Sequence, residues 1–237
     1  MSRILAFDTS AEVCSVCLLD GEKQYLEVEQ APRKQAQLLL PMIQQVLQEA
    51  NLKLSDLDAL AFGRGPGSFT GLRIAAGVAQ GLSFGADLPV YAESNLKAMA
   101  RQCAEKDPNV ERCLAVFDAR MDQVYAGVFS VSSGEIQALG EEVVCAPEDL
   151  YERLGIELTD GKRISAIASG LVMRQRFAAP LQRLIFQVDE LATPSAEDIA
   201  YLALKRLESG EQGIASTTIQ PAYVRNEVTW KKLPGRE

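Results

Sequence analysis

Apolar positions fall into two alternating regimes along this chain, and the order of alternation is the same in its two halves. The first half opens on an apolar run, Leu5-Ala6-Phe7, that ends in Asp8-Thr9-Ser10. Residues 13–19 and 24–29 follow as β-rich stretches separated by the Asp20-Gly21 turn. Residues 35–50 then carry apolar side chains at helical spacing, residues 59–63 predict a short strand, 69–85 a helix, 89–92 a strand and 95–105 a helix. In the second half Ala115-Val116-Phe117 ends in Asp118-Ala119-Arg120, with β-rich stretches at 124–131 and 135–144 joined through Ser133-Gly134. Residues 148–154, 172–177 and 196–209 predict helices, and 164–169 and 184–188 predict strands. The pattern therefore predicts an α/β protein of two domains that each open in the order βββαβα, residues 1–106 and 107–212, joined near Lys106-Asp107-Pro108-Asn109, with residues 213–237 as a tail.

A duplicated βββαβα order is the layout of the actin-like, sugar-kinase and Hsp70 superfamily, in which two Asp-bearing turns face each other across a nucleotide cleft. Composition narrows what such a cleft can do. With 24 basic and 32 acidic side chains the net charge is -8, which opposes a free-standing nucleic-acid binder that must neutralise phosphates. The chain has no histidine, so Ser-His-Asp and Cys-His nucleophile systems, a histidine base and imidazole metal sites are all excluded. Five cysteines with no apolar leader predict a cytoplasmic protein with reduced thiols. Cys14 and Cys17 have C-x-x-C spacing, but on a strand they point to opposite faces and read as core rather than as a metal site. Residues 216–237 hold four basic and two acidic residues, so this tail carries +2 and the remainder -10. Arg225, Lys231, Lys232 and Arg236 are the residues that would touch RNA or a partner.

Candidate chemistry gathers at three turns. Asp8, Thr9 and Ser10 end a strand, where a carboxylate and hydroxyls can meet a phosphate or a hydrated cation, and Asp118 occupies the matching turn beside Arg120. The run Gly63-Arg64-Gly65-Pro66-Gly67-Ser68 precedes a helix that Ser68 can cap, so Gly65, Gly67 and Ser68 offer backbone N–H groups to an anion. The lysine of a Walker A loop is missing, which predicts at most weak nucleotide binding and no bound cofactor. Leu39, Met42, Ile43 and Val46 form a helical stripe broadened by Leu38, Leu40 and Leu47, a surplus that predicts a docking face for a partner protein. Ala75, Ala79 and Leu82 of the small-residue helix 69–85 would line the same face.

The residues 4–10, the run from Gly63 to Ile74, Asp118-Ala119-Arg120 with Val124-Tyr125, and Pro221-Ala222-Tyr223-Val224-Arg225 with Trp230-Lys231-Lys232 resemble the bacterial TsaB (YeaZ) family from end to end. The resemblance implies a scaffold and activator for threonylcarbamoyladenosine formation next to the anticodon of tRNAs, bound to the related subunit TsaD and with it the ATPase TsaE. It implies a homodimer when the partner is absent. TsaD-like proteins hold a metal through a His-x-x-x-His pair after the helix that corresponds to residues 69–85. Here that region reads Tyr91-Ala92-Glu93-Ser94-Asn95-Leu96-Lys97, so the resemblance implies a non-catalytic paralogue without metal. The alternatives from other classes are a nucleotide-dependent kinase-like enzyme using Asp8 and Asp118, and a glycoprotease-type peptidase.

Overall fold

A computed structural model of the protein describes residues 2–107, 109–132, 134–155, 164–169, 175–189 and 192–224. The first half runs β1 (Arg3–Asp8), β2 (Val13–Asp20), β3 (Lys23–Gln30), α1 (Gln35–Ala50), β4 (Ala59–Gly65), α2 (Phe69–Ala86), β5 (Val90–Ser94) and α3 (Asn95–Lys106). The second runs β6 (Arg112–Arg120), β7 (Gln123–Ser132), β8 (Glu135–Ala138), β9 (Val143–Cys145), α4 (Leu150–Leu154), β10 (Ile164–Ala168), α5 (Ala179–Leu184), β11 (Ile185–Asp189) and α6 (Ala196–Glu208).

The two halves build sheets of one topology. Strand order is β3-β2-β1-β4-β5 in the first and β8-β7-β6-β10-β11 in the second, the path read from its opposite end. In each, the three leading strands pair antiparallel and the next two run parallel to the first. This is the duplicated α/β architecture of the actin-like, sugar-kinase and Hsp70 fold. β9 adds a short antiparallel segment on β7. The predicted stretch 135–144 is thus two strands rather than one, because the chain turns through Leu139 and Gly140 between them.

The inner strands are apolar on both faces because helices cover both. Along β1, Leu5 and Phe7 join a core with Leu39, Met42, Ile43 and Val46 of α1 and Ala75 and Ala79 of α2, whereas Ile4 and Ala6 pack against Ala196, Ile199, Ala200 and Ala203 of α6. Cys14 and Cys17 fall into these two different cores, on opposite faces of β2, and burial pushes both thiols up to about 12. In the second sheet Leu114, Val116 and Ala166 meet Leu150 of α4 and Leu181 of α5. Cys113, Ala115 and Phe117 meet Leu96, Met99 and Cys103 of α3.

The helices cross between the halves. α3, encoded with the first sheet, lies mainly against β6, β7, β8 and β10 of the second, while α6, encoded with the second, lies against β1, β2 and β4 of the first. α3 and α6 also pack on each other, so the pair forms a shared middle layer between the sheets. The segment after α6 stays with the first sheet. Val90 and Ile214 exchange two backbone hydrogen bonds, and Ile219 enters the core beneath α1 and α2. α5 lies where the sequence pattern predicts no helix; Pro180, tolerated in a first helical turn, masks it. Of the helix predicted at 172–177, residues 172–174 lie outside the described residues, and 175–177 are not α-helical.

Candidate functional site

The C-terminal ends of β1 and β4 bring the first Asp turn against the glycine run. Asp8 ends β1 and is 1% exposed. Its Oδ1 accepts from the Ser10 backbone N–H at 3.0 Å and the Ser10 hydroxyl at 2.8 Å, and its Oδ2 accepts from Asn95 Nδ2 at 2.7 Å. Asn95, at the start of α3, also donates to Ser10 Oγ at 2.6 Å and accepts from the Gly65 N–H at 2.7 Å through Oδ1. One amide therefore ties both turns and α3 together. Burial raises the Asp8 carboxyl to about 6, against the hydrogen bonds from Ser10 and Asn95, which lower it.

The glycines of the run are there for space. A Cβ on Gly63 would collide with Asp8 Oδ2 and Asn95, one on Gly67 would lie 2.6 Å from Ser10 Cβ, and one on Gly71 would collide with the Thr9 carbonyl oxygen. Thr9 Oγ1 donates to the Gly71 carbonyl at 2.7 Å, and the Ser68 N–H donates to the Ser10 carbonyl at 2.8 Å. The Ser68 hydroxyl caps α2 by accepting from the Gly71 N–H at 3.4 Å. Of the expected cofactor residues, Asp8, Thr9, Ser10, Gly65, Gly67 and Ser68 thus come together. They do so as a closed contact between the first turn and α2, with Thr9 and Ser10 fully buried.

Asp118 is half-buried and turned to its own loop, accepting from the Arg120 N–H at 2.8 Å while its own N–H donates to Ser169 Oγ at 3.1 Å. The Arg120 guanidinium reaches Glu12 at 3.3 Å, an ion pair that links the second turn to the first. Glu142 makes a deeper link. It stands between β8 and β9 and accepts from the Ser94 hydroxyl, which itself caps α3 by accepting from the Lys97 N–H. Burial raises the Glu142 carboxyl, opposed by Ser94 and the Arg64 charge.

Glu93, in the segment where TsaD-like sequences place the metal pair, is buried and bonded at 2.6 Å to Arg206 of α6. Arg206 also grips both Glu211 carboxylate oxygens, at 2.6 and 2.9 Å. Among the described residues no cluster of three or more Cys, Asp and Glu side chains could hold a metal ion, and no helix is long and apolar enough to cross a membrane.

The expected docking residues need a correction. Leu39, Met42, Ile43, Val46, Ala75 and Ala79 are all buried against the chain's own first sheet, and Leu82 is half-buried beside them. Their stripe is the core face of α1 and α2, since a helix lying on a sheet shows the same spacing as one lying on a partner. Of the residues expected on the docking face Leu40 does point outward, and the rest of the outward surface is made by other residues. Leu40 is exposed on α1; Phe69, Arg73, Gly77, Gly81 and Phe84 are exposed on α2, with Phe84 at 82%. The tail docks at the start of that face. The Ala222 N–H donates to the Arg64 carbonyl, the Tyr223 ring packs 5.5 Å from Phe69, and Arg73 stacks on Phe69 and donates to the Tyr223 hydroxyl at 3.2 Å. Arg225, Lys231, Lys232 and Arg236 lie outside the described residues.

Comparison with known proteins places this arrangement. The family model for TsaD, tRNA N6-adenosine threonylcarbamoyltransferase, matches residues 28–233. The tRNA threonylcarbamoyladenosine biosynthesis protein TsaB of Haemophilus influenzae is 42% identical over 99% of this chain and 98% of its own length. The chain belongs to the TsaB family. The Escherichia coli TsaB is 39% identical over 99% of this chain and all of its own. YeaZ from Pseudomonas aeruginosa superposes with a TM-score of 0.82 at 39% identity, covering 94% of this chain and 100% of that one. The match of a TsaB-family chain to a TsaD family model fits a paralogous relationship between the two.

Sequence reasoning missed the residues that organise this site. Asn95 looks like any polar residue at a helix start, and its signal was the adjoining Ser94, a capping residue directly after a strand. Glu142 and Arg206 carry no local pattern, since their partners lie 48 and 113 positions away.

Proposed function

We propose that this TsaB-family chain is a non-catalytic subunit in the formation of threonylcarbamoyladenosine next to the anticodon of tRNAs. It acts by binding TsaD, and through TsaD the ATPase TsaE, and the transfer chemistry is the partner's. The observation that carries this reading is the closed first turn. In a kinase-like enzyme the Asp8 carboxylate would have to face nucleotide or metal, whereas here both of its oxygens are used by Ser10 and Asn95 and it is shut off from solvent. The second turn supports the reading, because Asp118 is engaged with Arg120, which in turn pairs with Glu12. The peptidase alternative lacks its metal ligands in a chain without histidine.

The partner surface in this reading is the outward face of α1 and α2. Gly77 and Gly81 have open space above them and sit one turn apart, and Phe69 and Phe84 are exposed toward the two ends of the same helix. A shallow floor flanked by exposed aromatic rings accepts a second pair of helices closely, with the rings as anchors. TsaD takes this face in the complex and a second copy takes it when TsaD is absent. Titration calorimetry of TsaD into this chain tests the assignment. Phe84→Glu and Gly81→Arg, both on open surface, are expected to weaken binding at least tenfold, and unchanged binding by both would move the partner elsewhere.

A further inference from the structure

Apart from α2, the exposed apolar side chains include a pair on β3. This strand is an edge of the first sheet, paired among the described residues with β2 alone, in register over all eight residues without bulge or proline. Of the three other sheet edges, β5, β8 and β11, the first two are managed. The tail pairs with β5 through Ile214, and β8 is four residues long. On one side of β3, Tyr25 packs into the core under α1 and Glu27 accepts from Gln45 at 2.7 Å. On the other side α6 covers β1 and β2 and stops short of β3. Leu26 and Val28 are left 39% and 53% exposed there. A long, regular edge with an apolar face is a template for strand addition.

We propose that β3 pairs with β3 of a second copy, antiparallel about a twofold axis through Leu26, so that two first sheets join into one. The side chains themselves select the partner and the register. With Leu26 opposite Leu26, Gln24 faces Val28 of the partner copy, and the open side gains a contiguous cluster of two Leu26 and two Val28 side chains. On the α1 side the same register sets Lys23 opposite Glu29 and Tyr25 opposite Glu27, each twice by symmetry. Moving the axis to Glu27 would set two Glu27 carboxylates face to face, and moving it to Tyr25 would set Val28 against Glu22. Lys23 is the only basic residue of the strand, and self-pairing gives it a carboxylate on each copy. This surface is separate from α2, so a β3 dimer leaves the outward face of α2 free for a partner.

Light scattering after size exclusion, over a range of concentrations, reads the association in the Phe84→Glu background, which removes any α2-mediated dimer. A concentration-dependent dimer is expected. Leu26→Lys should raise its dissociation constant at least tenfold. Lys23→Glu and Glu29→Lys should each weaken it, since like charges then oppose, and the double exchange Lys23→Glu with Glu29→Lys should restore it. Amide hydrogen exchange along residues 23–30 should slow on dimerisation. A Phe84→Glu protein that stays monomeric at several hundred micromolar, or a double exchange no better than the single ones, would overturn the proposal.

Discussion

Replacing Asn95 with alanine removes the one amide that joins Asp8, Ser10 and Gly65, and its cost follows from what is left behind. Three hydrogen bonds go, at 2.6 to 2.7 Å, two to neutral groups and one to a carboxylate. Neutral bonds contribute about 1 kcal/mol each and a bond to a charged group about 2 kcal/mol, so the loss is roughly 4 kcal/mol when Asp8 is ionised. For a chain of this length that is a fall in Tm of roughly 8 °C. The pH dependence is the sharper signature. Burial holds the Asp8 carboxyl at about 6, above the usual aspartate value of 3.8, so folding favours its protonated form. The stabilisation from that preference is fully present below about pH 4 and is lost as pH rises through about 6. Asn95 offsets part of the resulting charge burial, and only where Asp8 is charged. Thermal unfolding followed by circular dichroism should therefore show Asn95→Ala losing distinctly more stability at pH 7.5 than at pH 5. An equal loss at both would refute the assignment of Asn95 as the group that compensates a buried Asp8 charge.

Other perturbations have expected outcomes of different size. Arg206→Ala leaves Glu93 buried without its cation and should cost about 3 kcal/mol by denaturant unfolding, whereas Arg120→Ala, in an exposed pair with Glu12, should cost less than about 1 kcal/mol. Gly71→Ala drives a methyl into the Thr9 carbonyl and should prevent recovery of folded protein, while Gly77→Ala meets open space and should raise the melting temperature slightly through helix propensity. Asp198, also raised to about 6 by burial, should add to the fall in stability between about pH 4 and 6, and Asp198→Asn should flatten that part of the profile.

Period and punctuation made most of this fold legible. The run Leu5-Ala6-Phe7 before Asp8, and its counterpart before Asp118, mark the two central strands because a strand covered on both faces must be apolar throughout. α1 spans the predicted residues 35–50, ending where Asn51 adopts the left-handed conformation that stops a helix. What the sequence hides is which surface covers an apolar stripe. Leu39, Met42, Ile43 and Val46 have the spacing of an interface and are core, while Leu40, which broadens that stripe, and Phe84, which lies outside it, are exposed. The crossing of α3 and α6 is hidden for the same reason, since each helix shows an apolar face without naming the sheet beneath it. In the site, the turn residues were legible and the group that closes them was not: Asn95 acts through contacts across 85 and 87 positions.

Whether this chain serves the reaction without performing it is measured most directly by reconstituted threonylcarbamoylation of tRNA from threonylcarbamoyl adenylate with purified TsaD and TsaE. Modification should need this chain, should collapse with Phe84→Glu in step with lost TsaD binding, and should persist with Asp118→Ala and Ser68→Ala, which alter the two turns at half-buried or exposed positions. A turn variant that binds TsaD normally and yet abolishes modification, or modification of tRNA by this chain alone, would contradict a non-catalytic role.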